Sequence, residues 1–124
     1  MTRSILVVDD EPMLRRVMER FFRRLGYQTA LAADGEEALA LLEQHAFALV
    51  VCDVRMPRLD GLRTLEEAQR RFDDLPPWVF LTGYADRSER SLYDAGALRV
   101  LGKPTSIEEF RALLDDLRLD PAED

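Results

Sequence analysis

The sequence predicts an α/β protein built on a parallel sheet with helices packed on both faces. Short apolar runs alternate with helix-spaced patterns from end to end, five of each. The strongest runs are apolar throughout rather than alternating, the mark of strands buried on both sides. Polar residues gather where the runs end, as expected where a parallel sheet presents one ligand-facing edge.

Ile5 to Val8 is the first such run. Leu14, Val17, Met18, Phe21, Phe22 and Leu25 then recur at helical spacing, with Pro12 suited to the first turn and Gly26 to the end. Gln28 to Ala32 is a weaker second strand. The Asp34-Gly35 turn opens a helix from Glu36 to about Gln44. Phe47 to Cys52 is the strongest strand. After a loop from Pro57 to Gly61, Leu62, Leu65, Ala68 and Phe72 share one helical face, which Pro76-Pro77 interrupt. Trp78 to Leu81 is the fourth strand, Ser88 to Ala95 a short helix closed by Gly96, and Leu98 to Leu101 the fifth strand. Ser106 followed by Glu109 forms a capping box for a last helix running to about Leu117. Residues 1–124 form one domain with core 3–118, a short tail over 119–124, and no repeat or linker.

Seventeen basic residues against 24 acidic ones give a net charge of -7, which argues against direct nucleic-acid binding. No apolar run approaches the roughly 18 residues of a membrane span. The apolar stretch after Arg3 is too short for a secretion signal. Cys52, the sole cysteine, allows no internal disulfide and suits a buried core position. A cytoplasmic location is expected.

The strand ends carry the chemistry. Asp9-Asp10 follow the first strand, Asp53 the third, Thr82-Gly83 the fourth, and Gly102-Lys103-Pro104 the fifth. Three acids, a hydroxyl and an ammonium are thereby brought to one edge. Crowded carboxylates repel, and a hard cation with oxygen ligands relieves the conflict, so Mg²⁺ or Mn²⁺ is the expected metal. A carboxylate can attack phosphorus to form an acyl phosphate, while a lysine and a metal neutralise the transferring oxygens. Asp53, alone at the end of the central run, is the best nucleophile; Asp9 and Asp10 suit the metal better. Read singly, Asp9-Asp10 could be a helix cap, Thr82 an ordinary strand-end residue, and Lys103 a surface lysine. His45 and the arginines Arg63, Arg70 and Arg71 read as solvated helix surface, and Trp78 and Phe21-Phe22 as packing.

Residues Ile5–Pro12 (ILVVDDEP), Val50–Pro57 (VVCDVRMP), Asp60-Gly61, Leu81–Gly83 (LTG), Gly96-Ala97 and Lys103-Pro104 together resemble the signature of response-regulator receiver domains. The resemblance covers residues 3 to about 118. It implies a flavodoxin-like sandwich with strand order 2-1-3-4-5, and a phosphoacceptor switch rather than a turnover enzyme. By the same resemblance, Asp53 receives phosphate from a sensor histidine kinase or a histidine phosphotransfer protein. Asp10 and Asp53 bind Mg²⁺ directly, Asp9 largely through water, and the backbone carbonyl of Arg55 completes the protein ligands. Lys103 pairs with the phosphoryl group, Thr82 is the switch hydroxyl, and the Lys103-Pro104 bond is cis.

Val100 departs from the family, which usually has an aromatic residue three positions before the lysine. The expected switch therefore moves the loop from Gly83 to Asp86, with Tyr84 changing exposure. In the family, the positions of Arg55 and Tyr84 flank the phosphorylation site and influence its lifetime, and the resemblance implies the same here. The face formed by residues 86–118 is the expected partner surface and a possible route to a homodimer. No output domain is legible in the sequence, so the output partner is unnamed. Two other functions fit the residues: a receiver-like binding module that works without phosphorylation, and a Mg²⁺ phosphatase or nuclease. A flavin module fits least, because no phosphate-binding loop follows the first strand.

Overall fold

A computed structural model describes residues 3–83 and 89–119. The order is β1 (Ser4–Val8), α1 (Pro12–Arg24), β2 (Gln28–Ala32), α2 (Gly35–Gln44), β3 (Leu49–Asp53), α3 (Gly61–Arg71), β4 (Trp78–Thr82), α4 (Glu89–Asp94), β5 (Arg99–Gly102) and α5 (Ile107–Asp116). The strands form one sheet in the order β2-β1-β3-β4-β5, all pairs parallel.

The sheet separates two cores because successive side chains point to opposite faces. Leu6, Val8, Val50, Cys52 and Phe80 meet Ala38, Leu39, Leu65, Ala68 and Leu92 of α2, α3 and α4. Ile5, Val7, Val51, Val79 and Leu81 meet Met18, Phe22, Phe110, Leu113 and Leu114 of α1 and α5. β3, in the middle, is buried along its whole length, so the residue at its end is delivered from the buried centre of the sheet.

Local signals fix most boundaries. Gly26 adopts φ +100°, which closes α1 at a backbone shape glycine alone enters without penalty. Asp34 and Asp60 accept from the N–H groups of Glu37 and Arg63 and so start α2 and α3. Ser106 and Glu109 make the expected reciprocal capping box. Most boundaries shift by a residue or two from expectation, and three of the shifts are informative. β3 begins at Leu49, with Phe47 packing beside the core rather than pairing. β5 begins at Arg99 rather than Leu98. α3 ends at Arg71, because Phe72 already turns extended (φ -120°, ψ 131°) before the two prolines. Ser88, the expected start of α4, lies outside the described residues.

Candidate functional site

The C-terminal ends of β1, β3 and β5 meet at an open cleft of about 520 Å³ lined by Asp10, Glu11, Asp53, Arg55, Met56, Pro57, Gly83 and Lys103. Asp53 ends β3 between β1 and β4 and is 3 % exposed. Its backbone fits there because Gly61 has no side chain: a Cβ at that position would lie 2.1 Å from the Asp53 carbonyl oxygen. Lys103 arrives from β5, its backbone N–H held by the Thr82 carbonyl at 3.0 Å. Its Nζ donates to Asp53 Oδ2 at 2.9 Å and stands 3.6 Å from Asp9 Oδ2. The Lys103-Pro104 bond beside it is cis.

Asp9 is fully buried. Its Oδ1 accepts from the Glu11 N–H at 2.9 Å, but its buried Oδ2 has no hydrogen-bond donor. Asp10 is exposed at the mouth. One carboxylate oxygen from each of Asp9, Asp10 and Asp53 lies within 4.8 Å of the others.

Electrostatics match this crowding. Burial raises the Asp53 carboxyl above its ordinary range; the Lys103 hydrogen bond opposes it and the Asp9 charge adds to it. Burial likewise raises Asp9, opposed by the Glu11 N–H and then by Lys103. Burial works against the Lys103 charge, yet the hydrogen bond and charge of Asp53 outweigh it and hold the ammonium above its usual value. One lysine thus compensates the acids only in part. Three hard oxygen donors, one of them buried without a donor, fit a divalent cation such as Mg²⁺.

The other sequence candidates fall around this centre. Arg55 lines the cleft, and its backbone N–H donates to the Asp53 carboxylate. Thr82, at the end of β4 opposite Gly102, is half-buried and donates its hydroxyl to the Gly83 carbonyl at 3.1 Å. Tyr84 and Asp86 lie outside the described residues. Val100 is buried in β5, and its N–H donates to the Tyr93 hydroxyl of α4 at 3.1 Å. The aromatic residue at the α4–β5 seam is therefore Tyr93, which the sequence reading passed over because it searched β5 for an aromatic. Cys52 is buried beneath the site, and its thiol donates to the Asp53 carbonyl at 3.3 Å. Burial pushes that thiol well up, which suits packing rather than reactivity. Arg15, also passed over, donates to the Asp9 carbonyl at 2.7 Å.

A doubly wound sheet with order 2-1-3-4-5 and an acid-lysine cluster at its carboxyl edge defines the class: a flavodoxin-like α/β domain with an acidic, lysine-bearing cleft. Comparison with known proteins narrows it. The model of the response regulator receiver domain matches residues 5–115, so the chain belongs to that family. Response regulator MprA of Mycobacterium sp. (strain KMS) is 45% identical over 109 residues, covering 87% of this chain and 47% of that protein. The chain spans about half the length of the curated relatives it matches. Among solved structures, the Vibrio cholerae chemotaxis protein CheY4 superposes with a TM-score of 0.83 at 26% identity, covering 94% of this chain and 98% of that one. The receiver domain of the Pseudomonas aeruginosa PAO1 sensor histidine kinase PA1611 gives a TM-score of 0.83 at 30% identity, covering 94% and 97%, and holds a magnesium ion in its active-site cleft. Receiver domains are signalling switches of two-component systems that bind Mg²⁺ in an acidic pocket. Among the described residues, no helix is long and apolar enough to cross a membrane.

Proposed function

We propose that this domain is a phosphoacceptor switch that takes a phosphoryl group from a phosphohistidine onto Asp53. The donor is a sensor histidine kinase or a histidine phosphotransfer protein, and the reaction requires Mg²⁺ or Mn²⁺. The observation that carries this reading is the Asp53 carboxylate on an open cleft, with Lys103 Nζ at 2.9 Å and the oxygens of Asp9 and Asp10 within 4.8 Å. We read residues 1–124 as one receiver unit acting in the cytoplasm, controlling an output partner rather than binding nucleic acid itself.

In this reading Asp10, Asp53 and the Arg55 carbonyl would hold the ion, and Asp9 would support it. A bound Mg²⁺ neutralises charge on the phosphoryl oxygens. One Asp53 carboxylate oxygen attacks phosphorus, the P–N bond breaks, and the imidazole nitrogen leaves with the bonding pair. Lys103 transfers its hydrogen bond from Asp53 Oδ2 to a phosphoryl oxygen. Thr82 exchanges its bond to the Gly83 carbonyl for one to the same group, a contact that differs between the two states and so shifts the equilibrium. That change passes through Gly83 to the partner surface expected over residues 86–118, described from residue 89 onward, where the output partner or a second copy docks.

The test is phosphotransfer from a radiolabelled phosphohistidine protein in Mg²⁺. Wild type should acquire label that Asp53→Ala does not, and Lys103→Ala should acquire it more slowly. Thr82→Ala should be labelled normally yet lose the chemical-shift response of α4 and β5 to beryllofluoride. Equal labelling of Asp53→Ala would contradict the assignment.

A further inference from the structure

The two metal-facing acids sit on adjacent residues, so their aim depends on the peptide planes between and beside them. Each plane is pinned by one hydrogen bond. The plane before Asp9 is fixed by the Asp9 N–H donating to the Ala32 carbonyl at 3.1 Å. The plane after Asp10 is fixed by the Glu11 N–H donating to Asp9 Oδ1 at 2.9 Å. The middle plane, shared by Asp9 and Asp10, is held at the Asp9 carbonyl by Arg15 Nη1 at 2.7 Å. Because the peptide unit is rigid, fixing that oxygen fixes the Asp9 ψ and the Asp10 φ together.

Arg15 stands where helix physics disfavours a cation. It belongs to the first turns of α1, whose N-terminus carries partial positive charge. The N-cap Glu11 makes no side-chain cap bond, so ordinary capping does not hold the loop. Arg15 is half-buried, its backbone is already committed to the Glu11 carbonyl at 3.0 Å, and its guanidinium reaches back six residues to grip the loop. Neighbouring Asp9, Asp10 and Glu11 offset the dipole cost.

We propose that Arg15 is a positioning residue for the metal site: by locking the Asp9–Asp10 peptide plane, it aims both carboxylates at the cation before the cation arrives. This rests on the phosphoacceptor reading only through the metal. Two effects of Arg15 oppose one another. Its charge repels a divalent ion, and its hydrogen bond spares the loop the cost of ordering on binding. The charged arginine is half-buried at the edge of the site, where solvent screens its repulsion, so pre-organisation wins.

Calorimetric Mg²⁺ titration of the full chain tests this, alongside amide hydrogen exchange of the metal-free protein. Arg15→Met, which removes donor and charge at similar length, should weaken Mg²⁺ binding about tenfold, the loss typical of outer-shell supports of a metal site. It should also speed exchange at the Glu11 amide, which donates to Asp9 Oδ1, while β1 stays protected. Arg15→Lys, which restores a donor, should recover most of the affinity. Arg15→Gln, which keeps a donor without the charge, should fall between them, and it carries the test if Arg15→Met does not fold. Unchanged or tighter Mg²⁺ binding in Arg15→Met, or in Arg15→Gln where that variant stands in, overturns the proposal while leaving the phosphoacceptor reading intact. Absence of Mg²⁺ binding by wild type removes both.

Discussion

Burial raises the Asp53 carboxyl, and Lys103 offsets only part of that rise. A carboxyl whose folded value lies above its unfolded one gives stability that is present at acid pH and lost as pH climbs through the carboxylate range. At neutral pH the ionised Asp53 therefore costs the metal-free protein stability. Asp53→Asn should raise its melting temperature by a few degrees at neutral pH, and the gain should shrink as the buffer is acidified. Added Mg²⁺ should reverse the ranking by stabilising wild type more than the variant. Calorimetric melting curves check both signs; a wild type more stable than Asp53→Asn without metal would contradict them. Gly61→Ala gives a steric counterpart. Its Cβ would meet the Asp53 carbonyl oxygen at 2.1 Å and Phe80 at 3.0 Å, so β3 or α3 must shift. A loss of about 1–3 kcal/mol is expected in urea unfolding, with weaker Mg²⁺ binding. Asp9, Asp10, Asp53 and Lys103 were legible in the sequence because parallel strands converge at one edge. The roles of Arg15 and Gly61 were not, even though Asp60-Gly61 belongs to the motif, because each acts on a backbone carbonyl whose position only the fold shows.

At the scale of elements, periodicity and punctuation were enough to find all ten helices and strands. Boundaries escaped where local signals were weak. Phe47 is as apolar as the strand it precedes, and nothing in its type says that it packs beside the sheet instead of pairing. The seam between α4 and β5 was also hidden, since Tyr93 looks like any aromatic residue on a helix until its hydroxyl is seen to accept from Val100. Tyr93→Phe removes that acceptor from the strand, so amide exchange at Val100 should accelerate selectively, as read by NMR, while Val79 in β4 remains protected. Equal protection at Val100 would mean that the bond does not anchor the seam. The capping box of α5 offers a simpler check. Ser106→Ala should cost about 1 kcal/mol of stability in chemical denaturation.

For the whole molecule, one sheet performs two tasks. Its middle strand fixes Asp53, the proposed phosphoacceptor, and the neighbouring strand ends bring the acids, the lysine and the Thr82 hydroxyl to the same edge. The apolar runs made the layered architecture legible and the strand ends suggested Asp53 as nucleophile, whereas the strand order, the Arg55 carbonyl and the Thr82 switch role came through the family resemblance. Composition had no means of supplying these, because it carries no register. The chemistry proposed for the cleft then reduces to one claim: the phosphoryl group goes onto Asp53, and only when a divalent ion is present. The most direct measurement is tandem mass spectrometry of the chain after incubation with acetyl phosphate in Mg²⁺ or in EDTA. The expected result is a single added phosphoryl group mapped to Asp53 in Mg²⁺ and none in EDTA. Modification at another residue, or equal modification of Asp53 without the metal, would contradict the account.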